Sequence, residues 1–200
     1  MAAHHQAVAA IRASGSTFPV GATLAVQDIV SVAGGEAIAA QHRQAVNEAY
    51  LTDLVGDDFV GVQCYTRHRY DASGPMPPEA GIELTQMSYE FWPEALESAI
   101  RQAYATSGLP IMVTENGLAT TDDRRRIAYV ERALHGVKNC LQDGIPVMGY
   151  TYWSALDNFE WMLGYTPTFG LIAVDRQTQA RTVKDSAVWL GSVARSNTLR

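Results

Sequence analysis

The sequence predicts an α/β fold of parallel strand–helix units in a barrel-type layout. Three observations carry that prediction. Four apolar strand patterns alternate with helix patterns at spacings that suit parallel crossover units. The strands lack polar alternation, as in Ile111, Met112 and Val113, which predicts cover on both faces. Polar and aromatic residues gather just past each strand end, and no Gly-x-Gly-x-x-Gly follows any strand. That layout disfavours a dinucleotide fold and favours a (β/α) barrel whose loops are built onto its top face.

Taken in order, residues 2–14 read as a helix, with Val8 and Ile11 on one face and Gly15 as its stop. His4 and His5 are adjacent and cannot share a helix face, so they read as surface or packing residues rather than metal ligands. Pro19 to Val26 is the first strand, and Gly34-Gly35 opens a long helix from Glu36 to Leu54. That glycine pair lacks the Lys-Ser/Thr of a phosphate loop and reads as a turn. Phe59 to Thr66 is the second strand, and residues 67–90 read as a long loop with turns at Gly74-Pro75 and Pro77-Pro78. Pro93 starts a helix that runs to Thr106. The third strand ends in Glu115, and Asn116-Gly117 turns the chain away. Thr121-Asp122-Asp123 caps a helix to Gln142, with Arg124, Arg125 and Arg126 read as its solvated face. Val147 to Ser154 is the fourth strand. An aromatic-rich loop from Asp157 to Arg176 and a last helix from Thr182 to Ala194 complete the chain.

Two hundred residues make one domain, 1–200, by the usual size relation. A net charge of -6 argues against nucleic acid or an anionic membrane as partner. Cys64 and Cys140 have no Cys or His at metal-ligand spacing and read as reduced core thiols. No apolar run spans a bilayer, and residues 1–10 lack a signal-peptide pattern, so the default location is cytoplasmic. No cofactor or metal is expected.

The chemistry concentrates at the strand ends. A carboxylate on a buried strand costs free energy unless paired, which makes Glu115 the first candidate functional group. If the strands are parallel, Tyr65, Glu115, Trp153 and the Glu160-Trp161 pair converge on one face. Carboxylates with indoles suit a sugar, because a tryptophan face covers the C–H face of a pyranose while carboxylates accept its hydroxyl protons. Taken singly, Tyr65 and Trp153 also fit core aromatics and Glu160 a surface residue. Trp92 and Trp189, in helix patterns, read as core. Glycoside hydrolysis requires two carboxyl groups, one of which attacks the anomeric carbon in retaining enzymes.

Thr114-Glu115-Asn116-Gly117 resembles the nucleophile motif of glycoside hydrolase family 1, the β-glucosidase and β-galactosidase family. The run Trp153-Ser154-Ala155-Leu156-Asp157-Asn158-Phe159-Glu160-Trp161 resembles its sugar-binding signature, followed at family spacing by Gly164-Tyr165 and Phe169-Gly170. Gly61 to Thr66 resembles a third family segment. The resemblance implies Glu115 as nucleophile, oriented by Tyr65. It also implies Trp153 as the platform under the sugar ring, Glu160 and Trp161 as hydroxyl ligands, and Phe169 as a pocket wall. Tyr89 stands near the leaving-group side, where the family often has Trp. Gln63 and Cys64 replace the family's Asn and Tyr, so a sugar contact by the longer Gln63 is a departure.

The family's acid/base motif, Thr-x-Asn-Glu-Pro, does not occur. Asn47-Glu48 is the only Asn-Glu pair, but Ala49 follows it inside a helix pattern. Aligned by its motifs, the chain resembles the C-terminal half of a (β/α)8 TIM barrel, strands five to eight, with a helix before them. Four strands leave two open edges, which self-association or pairing with an N-terminal half-barrel would cover. The implied activity is retaining hydrolysis of β-O-glycosidic bonds in a β-glycoside or oligosaccharide. This chain would supply the nucleophile half and show little or no hydrolysis alone. The alternative is a non-catalytic sugar-binding or regulatory half-barrel.

Overall fold

The computed structural model describes residues 1–199. In chain order the elements are α1 (Ala2–Ala13), β1 (Gly21–Ala25), β2 (Asp28–Ser31), α2 (Glu36–Arg43), α3 (Ala49–Leu51), β3 (Phe59–Gln63), β4 (Arg67–Asp71), β5 (Gly74–Pro75) and α4 (Ala95–Ser107). They continue with β6 (Ile111–Asn116), α5 (Asp123–Gln142), β7 (Val147–Tyr152), β8 (Ile172–Val174), β9 (Arg181–Val183) and α6 (Asp185–Ser196).

The main sheet has the order β1-β3-β6-β7, and every neighbouring pair is parallel. Sequence order equals spatial order, which is how a singly wound barrel grows. The expected α/β architecture of four strand–helix units after a leading helix is what the chain forms.

Burial differs between the two faces of the sheet. Val60, Val62, Ile111 and Val113 are 0% exposed and pack on Leu96, Ala99, Ile100 and Ala103 of α4. Each such aliphatic side chain stabilises the fold by roughly 1.5–3 kcal/mol when sealed from water. On the inner face, a row of register partners runs Thr23, Gly61, Met112, Gly149. Gly61 is required there, since a Cβ would lie 2.6 Å from the Thr23 methyl. Met112 and Thr114 are only half-buried, so the expectation of cover on both faces holds for the helix side alone. Cys64 and Cys140 are free and buried, as expected, and burial pushes their thiols up to about 12 and about 11.

Several expectations need correction. Residues 67–90 are not one loop, because β4 pairs in parallel with β2 and antiparallel with β5 in a second, three-stranded sheet. The charged run Arg67-His68-Arg69 hid that strand. Arg67 is shielded there by stacking 3.6 Å over the Trp92 ring and by pairing with the buried Glu90. Trp92 precedes α4 rather than lying in it, but it packs on the main core cluster as expected, and Trp189 packs on a second cluster from α6. The helix after Gly35 relaxes into a π-helical turn at Gln44–Glu48 and ends at Leu51, where Asn47 turns inward to hold the Gln27 backbone. Thr182 lies in β9, not in a helix. Ile11 on α1 is exposed, and the helix is tethered instead by His4 to Asp57 at 2.8 Å.

Arg126 is the largest departure. It is 1% exposed, not solvated, and its guanidinium reaches the Thr120 and Thr168 carbonyls at 2.6 Å each.

Candidate active site

Glu115 is the penultimate residue of β6, and a register shift in β3 between Val62 and Gln63 brings Gln63 opposite it. Both carboxylate oxygens are engaged. Tyr65 donates its hydroxyl to Oε2 at 2.6 Å, and Gln63 Nε2 donates to Oε1 at 2.8 Å. Burial first, then the bond to Glu115 and its negative charge, push the Tyr65 phenol far above its ordinary range. The phenol therefore stays protonated and serves as a fixed donor. Gln63 thus grips the carboxylate itself, a role its reading as a sugar ligand did not include.

Behind Glu115, Asn116 points into the core at 0% exposure. Its Nδ2 donates to the Cys64 carbonyl at 2.7 Å and its Oδ1 accepts the Tyr150 hydroxyl at 2.8 Å. Tyr129, on α5, donates to the Tyr65 carbonyl at 2.6 Å. Alternation along the strand therefore sends Glu115 to the cleft and its neighbour to a polar anchor in the core. Gly117 follows because a Cβ there would lie 2.0 Å from the Trp153 carbonyl.

Trp153 leaves the end of β7 and donates its indole N–H to Glu160 Oε1 at 3.3 Å, while Asn158 donates to the same oxygen. Phe169 is 4% exposed and meets Tyr65 edge-on at 6.0 Å between ring centroids. Trp161 is 83% exposed, at the rim.

Together Tyr65, Tyr89, Glu115, Trp153, Glu160, Trp161, Phe169 and Met87 line an open cleft of about 350 Å³. The volume lies in the range of small-ligand pockets, about 300–1,000 Å³. Seven of the residues singled out in the sequence meet in this cleft, and Gln63 stands directly behind it. Met87 was missed, because a lone Met in a loop carries no spacing signal. Arg126, read as solvated, and Asp157 and Lys184, given no role of their own, hold the backbone on either side of Phe169. Among the described residues, no cluster of three or more His, Cys, Asp or Glu could hold a metal ion.

The sequence matches the description "Glycosyl hydrolase family 1" over residues 48–199. It is 36% identical over 159 residues to the 1,4-beta-D-glucan glucohydrolase of Thermotoga neapolitana, covering 71% of this chain and 35% of that protein. It is 35% identical over 157 residues to Beta-glucosidase A of Thermotoga maritima, covering 71% of this chain and 35% of that one. Among solved structures, the β-glycosidase BGL167 superposes with a TM-score of 0.95 at 55% identity, over 98% of this chain and 47% of that chain. The Thermotoga maritima β-glucosidase in complex with glucoimidazole superposes with a TM-score of 0.87 at 26% identity, over 96% of this chain and 54% of that chain. The chain spans about a third of the length of these curated relatives and about half that of the solved chains. With the parallel sheet β1-β3-β6-β7 matching part of the barrel in those structures, the chain belongs to glycosyl hydrolase family 1.

Proposed function

We propose that this chain carries the nucleophile side of a retaining hydrolase acting on β-O-glycosidic bonds. The observation that carries the reading is the doubly held carboxylate of Glu115 at the floor of an aromatic-walled cleft. In this scheme Glu115 attacks the anomeric carbon, the bond to the leaving oxygen breaks, and water later hydrolyses the glycosyl ester. Tyr65 and Gln63 hold the carboxylate in line. Trp153 lies under the sugar ring, Glu160 and Trp161 take its hydroxyls, and Phe169 and Tyr89 close the sides.

The second carboxyl group of the reaction would come from the part of the family barrel that this chain does not span. Loss of an acid/base partner costs typically ~10²–10⁴ in rate, so the isolated chain is expected to hydrolyse ordinary glycosides poorly. An N-terminal half-barrel meeting the open edges of β1 and β7, or a second copy, would complete the barrel. The names of the relatives support a β-glucoside as substrate.

The test avoids the need for an acid. A 2-deoxy-2-fluoro-β-glucoside with a dinitrophenolate leaving group departs without protonation, so attack by Glu115 alone leaves a covalent glycosyl ester. Mass spectrometry of the treated chain should place one label on Glu115, and Glu115→Gln should take none. A folded wild-type chain that remains unlabelled overturns the reading in favour of a sugar-binding half-barrel, and one labelled elsewhere overturns Glu115 as the nucleophile.

A further inference from the structure

The segment Thr168 to Gly170 lies in neither helix nor sheet, yet it carries the most deeply buried wall of the cleft, Phe169. Its backbone is held by side chains from distant parts of the chain. The Thr168 amide donates to Gln86 Oε1 at 2.9 Å, and its carbonyl accepts Arg126 Nη2 at 2.6 Å. The Phe169 carbonyl accepts the Tyr152 hydroxyl at 2.8 Å. The Gly170 amide donates to Asp157 Oδ1 at 2.8 Å, and its carbonyl accepts Lys184 Nζ at 2.7 Å.

Two of these grips bring charge out of water. Arg126 is 1% exposed and also holds the Thr120 carbonyl, five residues beyond Glu115. Its counterion, Asp123, is anchored in turn by the Ser186 amide and hydroxyl. Lys184 pairs with Asp157 at 2.9 Å, with side-chain exposures of only 16% and 11%. Buried pairs of this kind add little net stability over a well-packed apolar substitute, because desolvation offsets the attraction. What they do supply is direction. A guanidinium can join two loop carbonyls at once, and an ammonium can join a carbonyl to a carboxylate.

The geometry lies in line with the site. Asp157 sits three residues before Glu160, Thr120 follows the strand of Glu115, and Phe169 abuts the Tyr65 ring that holds Glu115. We infer that Arg126 and the Lys184–Asp157 pair are positioning residues, which hold Phe169 against Tyr65 and keep the Glu160 loop in register with Glu115. The inference rests on the proposed role of Glu115. It assigns specific work to charged groups that touch neither sugar nor nucleophile.

The test measures fluoro-glucoside labelling of the chain at several probe concentrations, giving kinact and KI per folded molecule, beside the melting temperature. A displacement of about 1 Å in a reacting geometry costs up to ~10²-fold. Arg126→Met and Lys184→Met should therefore lower kinact/KI by roughly 10- to 10²-fold. The loss should exceed what the unfolded fraction explains, and Arg126→Lys should recover part of it. If Arg126→Met fails to fold, Gln86→Leu removes one grip from a surface loop and should give a smaller loss of the same kind. Variants that melt earlier but label at the wild-type rate per folded chain would make these residues merely structural and overturn the inference alone. A wild-type chain that takes no label overturns both this inference and the proposed role of Glu115.

Discussion

The two sides of the cleft are built by different means. Glu115, Gln63, Tyr65 and Trp153 stand on or just beyond strand ends, where a parallel ladder fixes the backbone to within its register. Tyr89, Glu160, Trp161 and Phe169 stand on segments outside the main sheet, and the segment of Phe169 is held by hydrogen bonds from distant side chains. The first side is continuous with a core whose strand residues are 0% exposed. It should open only when the whole molecule unfolds. The second can loosen by itself, since local opening follows the weakest set of contacts. A single pocket therefore joins a rigid floor to walls that can be reshaped without unfolding the barrel segment.

The strongest way to break that comparison is to attack the floor. Asn116→Leu removes the partner of the Cys64 carbonyl and of the Tyr150 hydroxyl, both deep in the protein. Two orphaned buried groups cost about 1–3 kcal/mol each. We expect a loss of about 3 kcal/mol or more, a melting temperature lower by roughly 6–12 °C, and one cooperative transition. A separate early transition confined to the cleft would contradict a floor that is part of the core.

The next effect separates two carboxylates that share one arginine. Glu90 is 4% exposed, and burial would raise its pKa. Bonds from the Arg67 guanidinium and the Glu79 amide outweigh that and hold it below the usual range. Asp28, the register partner of Arg67 in the second sheet, feels Arg67 and Arg43 only as nearby charges, and burial pushes it from 3.8 up to about 6. The signs are opposite. Glu90 contributes stability that is lost as pH falls through its folded pKa. The Asp28 contribution is fully present below about pH 3.8 and is lost as pH rises through about 6. Asp28→Asn should therefore stabilise the chain relative to wild type at pH 7.5, by about 2 kcal/mol after allowance for solvent screening, and scarcely at pH 4. Denaturant midpoints at both pH values measure it, and a pH-independent difference would remove Asp28 as the cause.

A smaller effect belongs to the walls. Tyr152→Phe leaves the Phe169 carbonyl without its hydroxyl donor and should cost about 1–2 kcal/mol. Amide exchange should accelerate at residues 168–171 by more than at Ile111 to Val113, where only the global loss is felt. Equal acceleration at both places would mean that walls and floor open together.

The same division explains what could be read from the sequence. Unbroken apolar runs ending in a carboxylate or an indole mark buried strands, so Glu115, Tyr65 and Trp153 were legible as a group on one face. The walls were legible only through the Trp153-to-Trp161 likeness and Phe169-Gly170. No periodicity announces that Lys184 reaches back 27 residues to Asp157, or that Gln86 caps Thr168 from 82 residues away. Arg126 misled for a physical reason. In a helix's first turn, directly after Arg124 and Arg125, it has the local pattern of a solvated face. Its pairing with Asp123 and the tertiary position of two loop carbonyls together make burial of its charge tolerable. The strand β4 was hidden likewise, its Arg67 shielded by Trp92 and Glu90.

The mildest test lies at the joint between floor and walls. α5 starts one residue after Asp122, whose side chain accepts the Arg124 amide at 3.0 Å, and this cap stands beside Asp123 and Arg126 without touching the grip on Thr168. Asp122→Ala should cost ~1 kcal/mol, the usual value of an N-cap, and lower the melting temperature by roughly 2–4 °C. Asp122→Asn, which keeps a side-chain acceptor, should restore it. Because the helix remains docked through Tyr129 and Val130, both below 3% exposure, the carbonyls held by Arg126 should not move. Labelling of Glu115 should then proceed at the wild-type rate in folded Asp122→Ala, while Arg126→Met slows it. If the cap variant slows labelling as much as the arginine variant, stability of the first helical turn rather than the grip on Phe169 sets the cleft, and the walls are not independent of the helix that follows the floor.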